Sequence, residues 1–117
     1  MYSERLLDHF QHPRNAGELP PPAVTVEVTN PVCWDILRLA ARFEGERVAE
    51  VRYKTRGCTA SIAAGSALTE LLVGKTRAEA ALVVAGDVEA AVGGLPNESK
   101  HAAVLAVDAV RALLKAG

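Results

Sequence analysis

The sequence predicts an α+β fold, a three-stranded antiparallel sheet with helices packed on it. Three observations carry that reading. Between Val24 and Lys54, apolar and polar residues alternate in short runs broken by loop and turn signals. From Thr59 to Lys115, apolar residues instead recur at helical spacing. A meander with one apolar face needs a cover, and the helices that follow it in the chain provide one.

The elements follow in order. Ser3 to Gln11 reads as a short helix, with Ser3 accepting from a free N–H of the first turn and Leu6, Leu7 and Phe10 on one face. Pro13 halts it, because the residue before a proline disfavours helix. The prolines of "ELPPPA", Glu18 to Ala23, make a stiff, extended connection. Val24, Val26 and Val28 alternate with Thr25, Glu27 and Thr29 in a first strand. After the loop "NPVCWD", Leu37, Leu39, Ala41 and Phe43 alternate with Arg38, Ala40 and Arg42 in a second. Glu44-Gly45 turns the chain, and Val48 to Lys54 returns as a third.

A long helix is expected from Thr59 to Val73, stopped by Gly74. Thr76 and Glu79 fit a capping box that opens another helix, and Asp87 is placed to cap a further short one. "GGLPNES" breaks the chain again. In a last helix from His101 to Lys115, Val104, Leu105, Val107, Val110, Leu113 and Leu114 form a broad apolar face. Residues 1–117 are read as a single domain, long enough to bury a core without disulfide staples.

Composition excludes several function classes. Half of the residues are hydrophobic but only 4% are aromatic, so the core is built mainly of Ala, Val and Leu. A net charge of −1 gives no long-range field to draw in nucleic acid or an acidic membrane surface. No apolar run approaches the roughly 20 residues needed to cross a bilayer. The N-terminal stretch lacks the basic and apolar regions of a signal peptide. Two cysteines make no disulfide framework. The expectation is a cytoplasmic protein of a reducing compartment.

Candidate chemistry lies at the element boundaries. Cys33 and Asp35 fall in the loop before the second strand, Cys58 between the third strand and the long helix, and His101 at the start of the last helix. A helix N-terminus favours a thiolate at Cys58, the form that binds metal or attacks an electrophile. In an extended loop Cys33 and Asp35 project to one side, and two anions there favour a cation between them. With His101 these four make a donor set suited to zinc, or to an iron–sulfur cluster with a carboxylate or imidazole replacing a thiolate. Each residue also has a plainer reading. Cys58 suits a small buried corner position, Asp35 the cap of a turn, and His101 a solvated helix start. The long intervals between the four fit no finger-type pattern. His9 and His12, three apart, are expected at the surface.

Four stretches together resemble the IscU/NifU-type iron–sulfur cluster assembly scaffolds. They are "YSERLLDHFQHPRNAG" with its H-x-x-x-P-R-N-x-G run from His9, "NPVCWD", "VRYKTRGCTASIAAGS" and "LPNESKHAAVLAVDAV". The resemblance runs along nearly the whole chain and implies the same sheet-and-helix fold. It implies a protein that is not an enzyme. Such a scaffold receives sulfur from a cysteine desulfurase, gathers iron, builds a 2Fe-2S cluster and passes it to iron–sulfur acceptor proteins. Its ligand positions match Cys33, Asp35, Cys58 and His101, as the set holding iron or the cluster, with zinc as another metal those donors suit.

The chain departs from the family pattern at three places. The third cysteine falls on Ala102, whose methyl carries neither persulfide nor iron. Trp34 stands where the family usually has glycine. The chaperone-recognition stretch Leu-Pro-Pro-Val-Lys of many bacterial members reads Leu95-Pro96-Asn97-Glu98-Ser99, without the positive charge.

Three readings follow. In the first, the chain is a working scaffold, and two copies in a homo-oligomer can share one cluster through four thiolates. In the second it is a zinc-binding or metal-free degenerate scaffold that docks on and regulates a cysteine desulfurase. In the third it is a thiol enzyme, with Cys58 as nucleophile, His101 as base and Asp35 as orienter.

Overall fold

The structure, a computed structural model, describes residues 2–31 and 34–117. Cys33 therefore lies outside the described residues. The chain runs α1 (Glu4–Gln11), β1 (Val24–Thr29), β2 (Ile36–Glu44), β3 (Arg47–Arg56), α2 (Thr59–Leu72), α3 (Arg77–Ala81), α4 (Ala85–Ala91), a 3₁₀ turn (Asn97–Ser99) and α5 (His101–Ala116). The strands form one antiparallel sheet in the order β1-β2-β3. Both the fold class and the element order agree with the sequence reading.

One face of the sheet carries the core. Leu37, Leu39 and Ala41 of β2 and Val51 and Tyr53 of β3 are buried against α2 and α5. Small residues let α2 approach closely. A Cβ on Gly65 would sit 2.5 Å from the Tyr53 ring, so only glycine admits the aromatic there. Tyr53 then donates its hydroxyl to the Ile62 carbonyl at 2.9 Å. Ala40 is also buried although it points to the other face; it pairs with Arg52 and is flanked by Arg38 and Arg42, whose long stems overtop a methyl.

The local signals for helix ends hold. The Ser3 hydroxyl accepts from the Leu6 N–H at 3.0 Å. Thr76 and Glu79 form the reciprocal capping box. Gly74 follows α2 with φ +86°, a conformation that suits glycine. Asp87 acts from a different position than expected. It lies inside α4 and reaches back to accept from the Val84 N–H at 2.9 Å.

One helix face is turned from its expected orientation, and a second holds apart from one residue. In α1, Leu6 is buried with His9, while Leu7 and Phe10 are exposed. In α5, Val104 is exposed while Leu105, Val107, Val110 and Leu113 are buried. A helix advances about 100° per residue, so the stripe that one neighbour covers holds Leu6 and His9 but not Leu7.

His9 is thus not at the surface, although His12 is. Its Nδ1 lies 2.8 Å from Ser66 Oγ and its Nε2 3.7 Å from Glu70 Oε1, both on α2. The rest of the H-x-x-x-P-R-N-x-G run continues the strap. The Arg14 N–H donates to Ser66 Oγ at 2.8 Å, and the Asn15 amide to Thr69 Oγ1 at 3.1 Å. The Asn15 carbonyl accepts from the Tyr53 N–H at 3.0 Å, and the Gly17 N–H donates to the Tyr53 carbonyl at 2.9 Å. This segment satisfies backbone groups on the outer edge of β3 that would otherwise be open to pairing with another chain.

Candidate metal centre

The pairing register builds the site. Ile36, the first residue of β2, pairs with Arg56, the last of β3. The residues just outside that pair, Asp35 and Gly57, are consequently neighbours. Cys58 comes next, as the N-cap of α2, with φ −78° and ψ 168°. Its carbonyl accepts the first helical bond, from the Ile62 N–H at 3.1 Å, but its side chain caps nothing. The thiol is left directed elsewhere. His101, the first residue of α5, comes in from the helix that crosses the same sheet.

Asp35, Cys58 and His101 meet at this corner. His101 Nε2 is 3.3 Å from Asp35 Oδ2, Cys58 Sγ is 3.6 Å from that same oxygen, and Sγ is 3.9 Å from Nε2. All three donor atoms lie within 4.8 Å of one another. Asp35 is buried, Cys58 is partly buried, and the His101 side chain is 30% exposed. The same ring nitrogen faces both the carboxylate and the thiol. The three side chains therefore converge on a common point and do not string out in a relay.

Two further residues shape the site, and neither stands out in the sequence as a site residue. A Cβ on Gly57 would fall 2.5 Å from Asp35 Oδ1, so the carboxylate occupies the space that glycine leaves. Ser61, one turn into α2 and buried, hydrogen-bonds Asp35 Oδ2 and lies 3.3 Å from Cys58 Sγ. Its signal in the sequence is the three-residue spacing from Cys58, which puts both on one helix face.

The remaining sequence expectations sort as follows. Trp34 adopts φ +61°, in the left-handed region where glycine is at ease, and the residue is mostly exposed. Its N–H donates to the Asn30 carbonyl at 2.7 Å, and the Asn30 N–H to the Asp35 carbonyl at 2.8 Å. Those bonds tie Asn30 to Trp34 and Asp35. Ala102 is buried, 1% exposed, and belongs to the apolar core. No helix among the described residues is long and apolar enough to cross a membrane.

With this geometry in place, comparison with known proteins is direct. Residues 1–116 match the NifU-like N terminal domain. The chain belongs to that family. It is 40% identical over 111 residues to the iron–sulfur cluster assembly scaffold protein IscU 1 of Archaeoglobus fulgidus, covering 95% of this chain and 72% of that one. It is 34% identical over 118 residues to the scaffold protein IscU of Azotobacter vinelandii, covering 97% and 91%. In fold, it is similar to a crystal structure of a candidate iron–sulfur scaffold for the SUF system from Fervidobacterium islandicum AW-1. That match has a TM-score of 0.77 at 20% identity and covers 97% and 96% of the two chains.

Proposed function

We propose that this NifU-like domain is an iron–sulfur cluster assembly scaffold. Asp35, Cys58 and His101, joined by Cys33 from the preceding loop, bind iron and then a 2Fe-2S cluster, which passes to acceptor proteins. The sulfur comes from the persulfide of a cysteine desulfurase: the Cys58 or Cys33 thiolate attacks its outer sulfur, the desulfurase thiolate leaves, and electrons from a reductant protein take the bound sulfur to sulfide. The relatives named as scaffolds support the role. The observation that carries it is the convergence of a carboxylate oxygen, a thiol sulfur and an imidazole nitrogen on one point. A catalytic thiol–imidazole–carboxylate relay uses one ring nitrogen for the thiol and the other for the carboxylate. Here Nε2 serves both, which favours metal ligation over thiol catalysis.

Anaerobic reconstitution with ferrous iron and sulfide tests the proposal. The expected product is brown, with sulfur-to-iron charge-transfer absorption that Cys58→Ser abolishes. A colourless protein after reconstitution would overturn it.

One observation favours a second reading, a single bound ion such as zinc. Bond lengths of about 2.0–2.3 Å place the donors of a tetrahedral site about 3.3–3.7 Å apart. The separations of 3.3, 3.6 and 3.9 Å lie close to that without rearrangement. Stoichiometric zinc that resists exchange for iron and sulfide would favour this reading, with the chain docking on a desulfurase to regulate it.

A further inference from the structure

Asp35 Oδ2 is the hub of the corner. Cys58 Sγ, His101 Nε2 and Ser61 Oγ all surround this one oxygen. Two of the three are donor atoms of the converging set. The third, the Ser61 hydroxyl, is not, and its bond is to the carboxylate itself. Ser61 is buried at 3% exposure in the first turn of α2, where the helix backbone holds its Cα rigidly relative to Cys58. Gly57 confines the other carboxylate oxygen. Asp35 thus has the Ser61 hydroxyl bonded to one oxygen and Gly57 close against the other. The same Ser61 Oγ lies 3.3 Å from Cys58 Sγ, so one hydroxyl touches two of the three donor residues.

We infer that Ser61 is a positioning residue of the metal centre. Its hydroxyl donates to Asp35 Oδ2 and holds the carboxylate in line with Cys58 and His101, so that the three present a ready-made site to an incoming divalent ion. This rests on the proposed ligand set and adds a residue to it. A carboxylate ligand without such a partner swings about its side-chain torsions, and binding must then order it. Outer partners of metal ligands are typically worth about 10–100-fold in affinity.

Cobalt(II) is a suitable probe, because thiolate ligation gives a charge-transfer band and the d–d bands report coordination geometry. The wild-type chain is expected to bind cobalt(II) with a thiolate band. Ser61→Ala should weaken binding by about 10–100-fold and alter the d–d envelope while the thiolate band persists. Ser61→Thr, which keeps the hydroxyl, should restore both. In an Asp35→Ala background, Ser61→Ala should have a clearly smaller effect, since only its contact with Cys58 remains. A general packing role would instead persist in that background.

Wild-type affinity and spectrum in Ser61→Ala, beside a wild type that shows the thiolate band, would overturn the inference and leave the ligand set standing. An undiminished effect of Ser61→Ala without Asp35 would also overturn it. No thiolate band in the wild type would remove the ligand set and this inference together. If the alanine variant fails to fold, loss of affinity in a folded Ser61→Thr protein overturns it.

Discussion

The α-carbon of Gly57 packs against the carboxylate of Asp35, so closely that a Cβ there would lie 2.5 Å from Oδ1 and 2.6 Å from Cγ. The contact follows from the Ile36–Arg56 pairing, which sets the start of β2 beside the end of β3. A methyl cannot be accommodated by a small side-chain motion, because Asp35 is buried and its other oxygen is bonded to Ser61. Gly57→Ala should therefore displace the carboxylate from Cys58 and His101. The expected result is a destabilisation of about 1–3 kcal/mol in denaturant titrations, together with weakened metal binding. Unchanged metal affinity would show that the carboxylate does not need this place.

Trp34 gives a second prediction, on the opposite sign of stability. Its φ of +61° is costly for a residue with a Cβ, and the residue is 72% exposed, so little burial offsets that cost. Trp34→Gly should raise stability by about 0.5–1 kcal/mol, read as a higher denaturation midpoint. A fall in stability would mean that the indole makes a contact worth more than the backbone strain.

Sequence periodicity was enough for the sheet and the helix order, and the reasons are local. Val24–Thr29 alternates in and out because a strand must, and Ser3, Thr76 and Gly74 mark helix ends by their own backbone chemistry. The convergence of Asp35, Cys58 and His101 follows from topology once the meander is drawn. What the sequence did not disclose depends on contacts between distant segments. His9 and Ser66 are 57 residues apart, so nothing near His9 signals that α2 will bury it. Ser61 looks like an ordinary small helix residue until the β2–β3 register brings Asp35 to it. Cys33 lies outside the described residues, and its part in the site remains within the proposal.

Ala102 occupies the position of the third cysteine in the family that the sequence resembles, and its methyl is buried in the core. A sulfur added there has no free space, so Ala102→Cys should cost the metal-free protein about 1 kcal/mol. It also stands next to His101 on the first turn of α5. Under the scaffold reading the new thiolate joins the donor set, and the loaded variant should hold its cluster longer than the unsubstituted chain. The two effects separate in one experiment: thermal unfolding of the metal-free proteins, then the decay of charge-transfer absorption in the reconstituted ones. An equal cluster lifetime would place residue 102 away from the metal.

His9 makes the strap between α1 and α2 sensitive to acid. Burial is the main influence pushing its imidazole below the ordinary value of 6.5, and the nearby Arg14 guanidinium adds to this, while Glu70 and Asp8 oppose it. The folded protein therefore binds fewer protons at His9 than the unfolded chain between its lowered value and 6.5. Stability in that window rises with pH: the contribution is complete above 6.5 and is lost as pH falls through the folded-state value. Protonation also changes what the ring offers, since both nitrogens become donors towards Ser66 Oγ and Glu70 Oε1. His9→Gln keeps a polar group near Ser66 but carries no titrating proton. Its unfolding free energy from urea titration should lie below that of the unsubstituted chain at pH 7.5, by about 1 kcal/mol for an imperfectly replaced buried hydrogen bond. The gap should narrow as pH drops towards 5, because only the histidine form pays the cost of charging. Parallel midpoint curves for the two proteins would assign the acid sensitivity to another group.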